Sequence, residues 1–546
     1  MQAKHCQNLA IHLLMQLSIV LSSTVEGGAE EPSSEAIPTP RMEQTPRCYA
    51  PRAVLEGPIV SDYSAVVRLP PTEPEDGQLS LPINLATALR LSDARPIIIA
   101  AAQAGVQVAV AQLDQAKVMW LPNLYMGGSY YRHDGGNQGV SGTFYNNSKN
   151  QLMIGAGPVV EIATTDAIFT PLAARQALLS RNLDLQSARN DALLNVAEAY
   201  FRVQQARGRL AGYQDIVDKG EQLNKTVHAL AEGLVSPDEV NRVRTTLASL
   251  EQSLAIARGD WGVSSADLTR VLRLDPTAIV MPNEPPHLQI TLISTEEPPG
   301  ELIPIALTGR PELASQQALV RVTLVRMRQE RMRPLLPSIL VLGDAVPTAP
   351  GGYLMGGFFQ SNVNGQSSST SARNDVSVEL LWALNNMGFG NRALVRERQA
   401  EQQQALVEFY RIQDMVAAEV VRTHAELVAA AVRVKQSEAG VQQAQISYAG
   451  NVKGLSETTR FADILVLVNR PQEVVAALQQ LGQAYDNYFT SINDYNRAQF
   501  RLYRALGYPA NILAYQRSPG EIQPVNTNRP AMMAPVYVPQ PGGNRR

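Results

Sequence analysis

The chain has 546 residues, 45% of them hydrophobic, and a formal net charge of −3. A balance so close to neutral excludes a basic nucleic-acid surface, and a soluble protein of this length would usually divide into about three or four domains. It holds two cysteines, Cys6 and Cys48. Removing a leader would leave Cys48 alone, with no internal disulfide.

Residues 1–24 read as a weak secretory signal, with Lys4 as a thin positive start and an apolar run from Leu9 to Val20 diluted by His12 and Gln16. Neither cysteine follows a leucine-containing lipobox. Residues 25–80 are rich in Pro, Glu, Ser and Thr without periodicity and read as an extended linker, and residues 511–546 read as a disordered tail. Between these ends the sequence contains itself twice. Arg95-Pro96, Leu121-Pro122 and Gly128 return as Arg310-Pro311, Leu336-Pro337 and Gly343, always 215 positions on. Gly233-Leu234 returns as Gly454-Leu455, and Leu268, Arg270 and Leu272 return as Leu502, Arg504 and Leu506. A period this long means two fused structural units and not a solenoid. The first repeat spans residues 81–276 and the second 301–510, with an inter-repeat linker at 277–300. The second carries extra residues around Glu457 to Pro471.

Each repeat predicts the same elements in the same order. A helix comes first, from Arg95 to Met119 and from Pro311 to Arg333, stopped by Leu-Pro. Pro96 to Leu113 is uncharged, but its glutamines and alanines make a poor membrane span. Period-two segments follow, around Leu124 to Tyr131 and around Val376 to Trp382. Gly-, Asn- and Ser-rich stretches, His133 to Asn150 and Thr348 to Asn374, read as loops longer than a hairpin needs. Very long helices come next, from Pro171 to Glu232 and from Arg392 to Lys453. Val196, Val203, Leu210 and Val217 fall seven apart, as in coiled-coil packing. Each run ends in Gly-Leu, and return helices span Asp238 to Leu272 and Gln472 to Leu506.

Two strand hairpins give four strands per chain, too few to close a barrel. An open sheet cannot sit in lipid, where every backbone group needs an internal partner. Three chains would close a twelve-stranded barrel, with the helical hairpins aligned as a tube beneath it. The predicted fold is therefore mainly α with a membrane β-barrel part: a trimeric channel on a long α-helical tunnel. Tyr125, Tyr130, Tyr131, Tyr145 and Trp382 are candidates for its interfacial belt.

The doubled Arg-Pro…Leu-Pro helix, the doubled strand hairpin and the Gly-Leu tips resemble the TolC-like family of outer-membrane efflux proteins. So does the ending, from Tyr495-Asn496-Arg497-Ala498-Gln499 to Leu506-Gly507. The likeness covers residues 81 to 510 and rests on order, spacing and duplication. It implies a homotrimeric exit duct in the outer membrane with a periplasmic extension, set in outer-membrane lipid, held by a periplasmic adaptor and fed by an inner-membrane pump. It also implies two sites. The family's Val-Gly-Leu tip docks the adaptor and corresponds here to Gly233-Leu234 and Gly454-Leu455, with Glu232 and Lys453 in place of the valine. The family's entrance gate is a ring of acids just past the second tip. Asp463 matches the first acid, and Val466 stands where the second belongs.

Two other readings are weighed against the duct. Six scattered histidines, with no metal-ligand spacing, phosphate loop or nucleophile elbow, argue against an enzyme, a resident metal or a cofactor. A periplasmic coiled-coil scaffold or adaptor would share the long helices, but it would not need the two strand hairpins.

Overall fold

The computed structural model of the chain describes residues 59–60, 69, 72–74, 79–94, 96–121, 123–230, 235–342, 356–363, 366–367, 371–374, 377–461 and 464–508. The signal segment, the C-terminal tail, Gly233, Leu234 and Asp463 lie outside these residues.

The first repeat is preceded by two short strands, β1 (Ile59–Val60) and β2 (Ser80–Ile83), and opens with α1 (Leu85–Ala94). Next comes α2 (Ile97–Lys117), whose Pro96 N-cap sits in the extended region, as the fixed proline φ and missing N–H favour at a helix start. After a single 3-10 turn, β3 (Asn123–Gln138) and β4 (Phe144–Ile162) form a hairpin in unbroken register, from Asn123 opposite Val159 to Gln138 opposite Phe144. The expected loop at His133 to Asn150 is therefore mostly strand. Its glycines and asparagines pair as 135–147 and 136–146, and only residues 139–143 make the turn. Helix α3 (Thr164–Leu230) then runs 67 residues, about 100 Å at 1.5 Å per residue. Its return partner is α4 (Pro237–Leu272), with proline at the first helical position and Asp238 and Glu239 in the first turn, where the helix dipole favours acids. The inter-repeat linker contains β5 (Ile279–Pro282) and β6 (Ile290–Thr291); β2 pairs with β5 and β1 with β6.

The second repeat runs α5 (Pro299–Gly309), α6 (Pro311–Met332), β7 (Ser338–Leu342), β8 (Gly356–Val363), β9 (Gln366–Ser367), β10 (Ser371–Asn374) and β11 (Ser377–Leu381). Then come α7 (Phe389–Ser456), β12 (Thr458–Phe461), β13 (Ile464–Leu467) and α8 (Pro471–Ala505). Here too the expected loop, Thr348 to Asn374, contains strands: β8 and β10 pair with each other, and β8 pairs with β4. β7 pairs with β4 further down and with β11. The result is one antiparallel sheet in the order β3, β4, β7 with β8, and β11 with β10.

The predicted heptad positions Val196, Val203, Leu210 and Val217 are all buried. On α7 the buried positions 416, 420, 423, 427, 430, 434 and 441 keep the alternating four-three spacing of a coiled-coil seam. Gly208 lies within this packed zone of α3, and an added Cβ would come within 2.5 Å of the Phe489 ring on α8. The glycine thus lets two helices approach closely and does not break α3.

The linker is clamped to the return helices by side chains. On α4, Trp261 Nε1 donates to the Val280 carbonyl, and Ser265 Oγ accepts from Val280 N–H. On α8, Asn496 Oδ1 accepts from Ile290 N–H, while Gln499 Oε1 accepts from both Leu292 and Ile293 N–H. Asn496 and Gln499 are fully buried, so each amide replaces a backbone partner the linker would otherwise lack.

Candidate functional site: an open-edged wall and its tips

The helices form a wall four columns wide. α2 and α4 share the first column: the start of α2 and the end of α4 line a common cleft against α3. α3 is the second column. α6 and α8 share the third, joined end to end where Gly309 meets the Leu506 carbonyl, and both pack on α3 and α7. α7 is the fourth. The strands follow the same order, because α2 feeds β3, β4 feeds α3, α6 feeds β7 and β11 feeds α7. Sheet and wall therefore end at the same two sides, each without a partner among the described residues.

Burial follows column position. α3 buries 24 of its 67 residues, whereas its repeat partner α7, of 68 residues, buries 10. The interior return helix α8 buries 21 of 35, but the edge helix α4 only 9 of 36. The edges also expose apolar side chains that a finished surface would hide. Val421, Val428 and Val432 are exposed on α7, and Ile97, Val108, Ile256 and Val263 on α2 and α4.

In the sheet, no charged residue occurs from Leu121 to Tyr131 or from Asn150 to Val160, and these stretches face each other across the β3–β4 register. From Leu121 to Tyr131 is about 33 Å of extended chain, or about 25 Å of height at a ~40° tilt, the apolar band of a membrane barrel. Above it the hairpin turns polar, with Arg132 bonded to Asp134 and Asp134 to Ser148. Tyr130 is exposed opposite Leu152, and exposed Ile154 lies opposite Gly128, which gives that face an apolar character.

The second tip differs from what the sequence suggests. α7 does not stop at Gly454-Leu455 but continues to Ser456, and Gly454 is not among the positive-φ residues. A Cβ there would meet Asn469 Nδ2 at 2.5 Å, so the glycine serves a close approach and not a helix end. Leu455 is 1% exposed, packed with Leu223, Val227, Val240, Val243, Val474 and Val475. Leu455 thus holds the tip together and does not project from it. Between α7 and α8 the chain pairs as the β12–β13 hairpin, Thr458 opposite Leu467 to Phe461 opposite Ile464. Its base is tied down by Val468 N–H to the Glu457 carbonyl and Asn469 N–H to the Gly454 carbonyl. The segment from Phe461 to Val466 therefore precedes α8 and is not its first turn. Arg242 Nη1 donates to Gln472 Oε1 and links the two tips.

Halfway up, a charge cluster joins the columns. Arg310, of the repeated Arg-Pro pair, has a side chain only 3% exposed and meets Glu419 of α7 at 2.5 Å and Glu312 of α6 at 3.6 Å. Arg504 of α8 meets Asp191 of α3 at 2.8 Å and both glutamates at 3.1 Å. Burial pushes the Asp191 carboxyl above its ordinary range, opposed by the Arg310 charge. Further along α8, Arg501 bonds Glu198 of α3 at 2.6 Å. Among the described residues, no group of His, Cys, Asp and Glu could hold a metal ion.

Neither the charge cluster nor the linker clamps was anticipated from sequence. The tip hairpin did leave a signal, since Thr458-Thr459 and Ile464-Leu465-Val466-Leu467 are strand-formers flanking a short gap.

Comparison with known proteins extends the geometry. Residues 92–272 match the family of outer membrane efflux proteins. The fold is similar to that of the outer-membrane channel OprN, at 16% identity and a TM-score of 0.61 over 78% of this chain and 89% of that one. It is similar to CusC, at 16% identity and 0.59 over 82% and 99%. It is also similar to the Campylobacter jejuni CmeC outer membrane channel, at 14% identity and 0.58 over 78% and 85%. No curated protein matches the chain by sequence.

Proposed function

We propose, for a chain that belongs with the TolC-like outer-membrane efflux proteins, that three copies close into one passive exit duct crossing the outer membrane and reaching down through the periplasm. One observation carries the reading: sheet and helical wall end at the same two sides, which expose apolar side chains and have no partner among the described residues. An edge strand in lipid leaves a row of backbone groups unsatisfied, and a closed ring satisfies them. Two unlike edges join head to tail, and with four strands and four columns each, three chains give twelve of both.

The duct accepts cargo from an inner-membrane pump through a periplasmic adaptor. The adaptor docks at the tips: at Gly233-Leu234 on the first, and on the second at the surface that Gly454 and Leu455 hold in place from beneath. Asp463 supplies one carboxylate per chain to a cation-attracting mouth. A scaffold without a channel is the competing reading, and the charge-free strand band disfavours it.

Conductance of the purified, detergent-extracted protein in a planar bilayer tests the proposal, with wild type compared against Asp463→Ala. Discrete cation-preferring steps that enlarge or lengthen in the variant are expected. Steps indifferent to the substitution would keep the duct and remove Asp463 from its mouth. A protein recovered wholly in the soluble periplasmic fraction, without conductance, would overturn the duct.

A further inference from the structure

One seam inside the wall joins the two repeats: α3 of the first packs on α8 of the second. Where chains meet in a ring, α7 of one chain would stand beside α4 of the next. α7 is the repeat counterpart of α3, and α4 is the counterpart of α8. The seam between repeats within one chain is therefore a template for the seam between chains.

Two spacings carry the template across. Gly233 and Gly454 stand 221 positions apart, and Leu268 and Leu502 stand 234 apart. Burial keeps step with both. Ala199 and Val420, and Ala206 and Leu427, are buried at matching places on α3 and α7. Val240 and Val474, and Trp261 and Tyr495, are buried at matching places on α4 and α8. Glu198 and Glu419, again 221 apart, both bind arginines of α8.

Three pairs define how the inner seam meets. Gly208 lies against Phe489, whose ring is 2.5 Å from the place of an added Cβ, and Gly212 lies against Tyr485 at 3.1 Å. The rings of Phe201 and Phe500 are 5.5 Å apart. All six residues are buried. Their counterparts at the two free edges are Ala429 with Ala255, Arg433 with Glu251, and Arg422 with Ala266. All six of these are exposed.

The exposed pairs also match in chemistry. Two alanines leave room for as close an approach as glycine and phenylalanine allow. Arg433 and Glu251 carry opposite charges; Arg433 already holds Asp494 at 3.0 Å, and Glu251 has no ion-pair partner among the described residues. The side chain of Arg422 is 71% exposed and reaches Glu426 only at 4.0 Å. The edge of α4 that would receive it carries an open groove of about 360 Å³, lined among others by Gly259, Gly262, Arg258 and Glu73.

We infer that α7 of one chain seats on α4 of the next in this register, with Ala429 on Ala255, Arg433 beside Glu251 and Arg422 over Ala266. Two unlike edges joined in this way repeat around a ring without leaving either exposed. The inference rests on the closed ring proposed above. It adds the axial register of the closing seam, and an ionic contact where the inner seam has glycine and tyrosine.

Cross-linking tests the register. In a full-length chain carrying Cys6→Ser and Cys48→Ser, Ala255→Cys and Ala429→Cys would be introduced together and oxidised in detergent extracts. A disulfide needs Cα atoms about 4.4–6.8 Å apart. Covalent dimers and trimers are expected on a non-reducing gel. They should be about tenfold more abundant than with Ala429→Cys joined to Ala248→Cys or Gly262→Cys, which lie about 10 Å away along the same face of α4. Stronger cross-linking through position 248 or 262 would overturn the register. No cross-link from any pair, in protein that still has trimer mass in detergent, would overturn the seating of α7 on α4. A cysteine-free parent that is monomeric would instead strike the ring, and with it the duct. A charge swap reads the ion pair by itself: Arg433→Glu and Glu251→Arg should each raise the monomer fraction about two- to fivefold, and together restore the trimer. Losses that simply add in the double variant would remove that contact.

Discussion

α3 and α7 hold the same place in the two repeats, and they differ according to where each stands. α3, inside the wall, is packed along both flanks and tolerates Gly208 because α8 presses a phenylalanine ring against it. α7, at the edge, keeps one clean heptad seam and leaves Val421 and Val428 uncovered. The same contrast holds between the return helices, where α8 is the hub and α4 the margin. Position in the wall, more than the inherited pattern, thus decides which faces become core, and the faces left apolar at the margins mark where a neighbour belongs.

Substitutions can sharpen or break that contrast. The largest effect is expected from Arg310→Ala, which leaves a cavity at the meeting of columns and only Arg504 to neutralise Glu419, Glu312 and Asp191. Chemical denaturation should show a loss of about 3–5 kcal/mol. Gln499→Leu removes the acceptor of two buried linker amides and should cost roughly 2–3 kcal/mol by the same measurement. Gly208→Ala forces its methyl against the Phe489 ring and should cost about 1–3 kcal/mol, while Gly259→Ala on the marginal helix α4, with open space around it, should be neutral or slightly stabilising. The smallest folding effect belongs to Val428→Asp on the exposed face of α7, within about 0.5 kcal/mol for the single chain. That variant should nevertheless prevent the chains from associating, read as a shift from trimer to monomer mass in detergent. A Val428→Asp protein that remains fully trimeric would remove α7 from the boundary between protomers.

Much of this arrangement was legible in the sequence. The long helices could be read because a run of about sixty residues without a strong breaker has few competing explanations, and the Val196–Val217 heptad series within it is buried. The duplication gave the order of elements. Strand extent was misjudged because Gly135, Gly136, Asn146 and Asn147 carry turn-like chemistry although each sits opposite another in register. A long antiparallel ladder compensates for residues that would not form a strand alone. The tips were read least well. Gly454 looks like a helix stop, and only Asn469, fifteen residues on, shows that its missing side chain serves a close contact. Arg310 stood out as half of a repeated pair, but its partner Glu419 lies 109 residues away, and no local pattern announces a contact at that range.

The linker clamps have a further consequence. Trp261 and Ser265 on one return helix, and Tyr495 and Gln499 on the other, stand at equivalent places in the two repeats, 234 positions apart like Leu268 and Leu502. The first pair grips β5 and the second grips β6 with the residues after it, so one strap occupies both seats in different ways. Around a ring of three chains this makes a belt of six stations in two alternating kinds. A partner that wraps such a belt with six identical arms would have to fit two unlike surfaces, whereas one with three arms could choose between them. The internal repeat of the chain therefore sets a stoichiometric choice for any partner that would bind at this level.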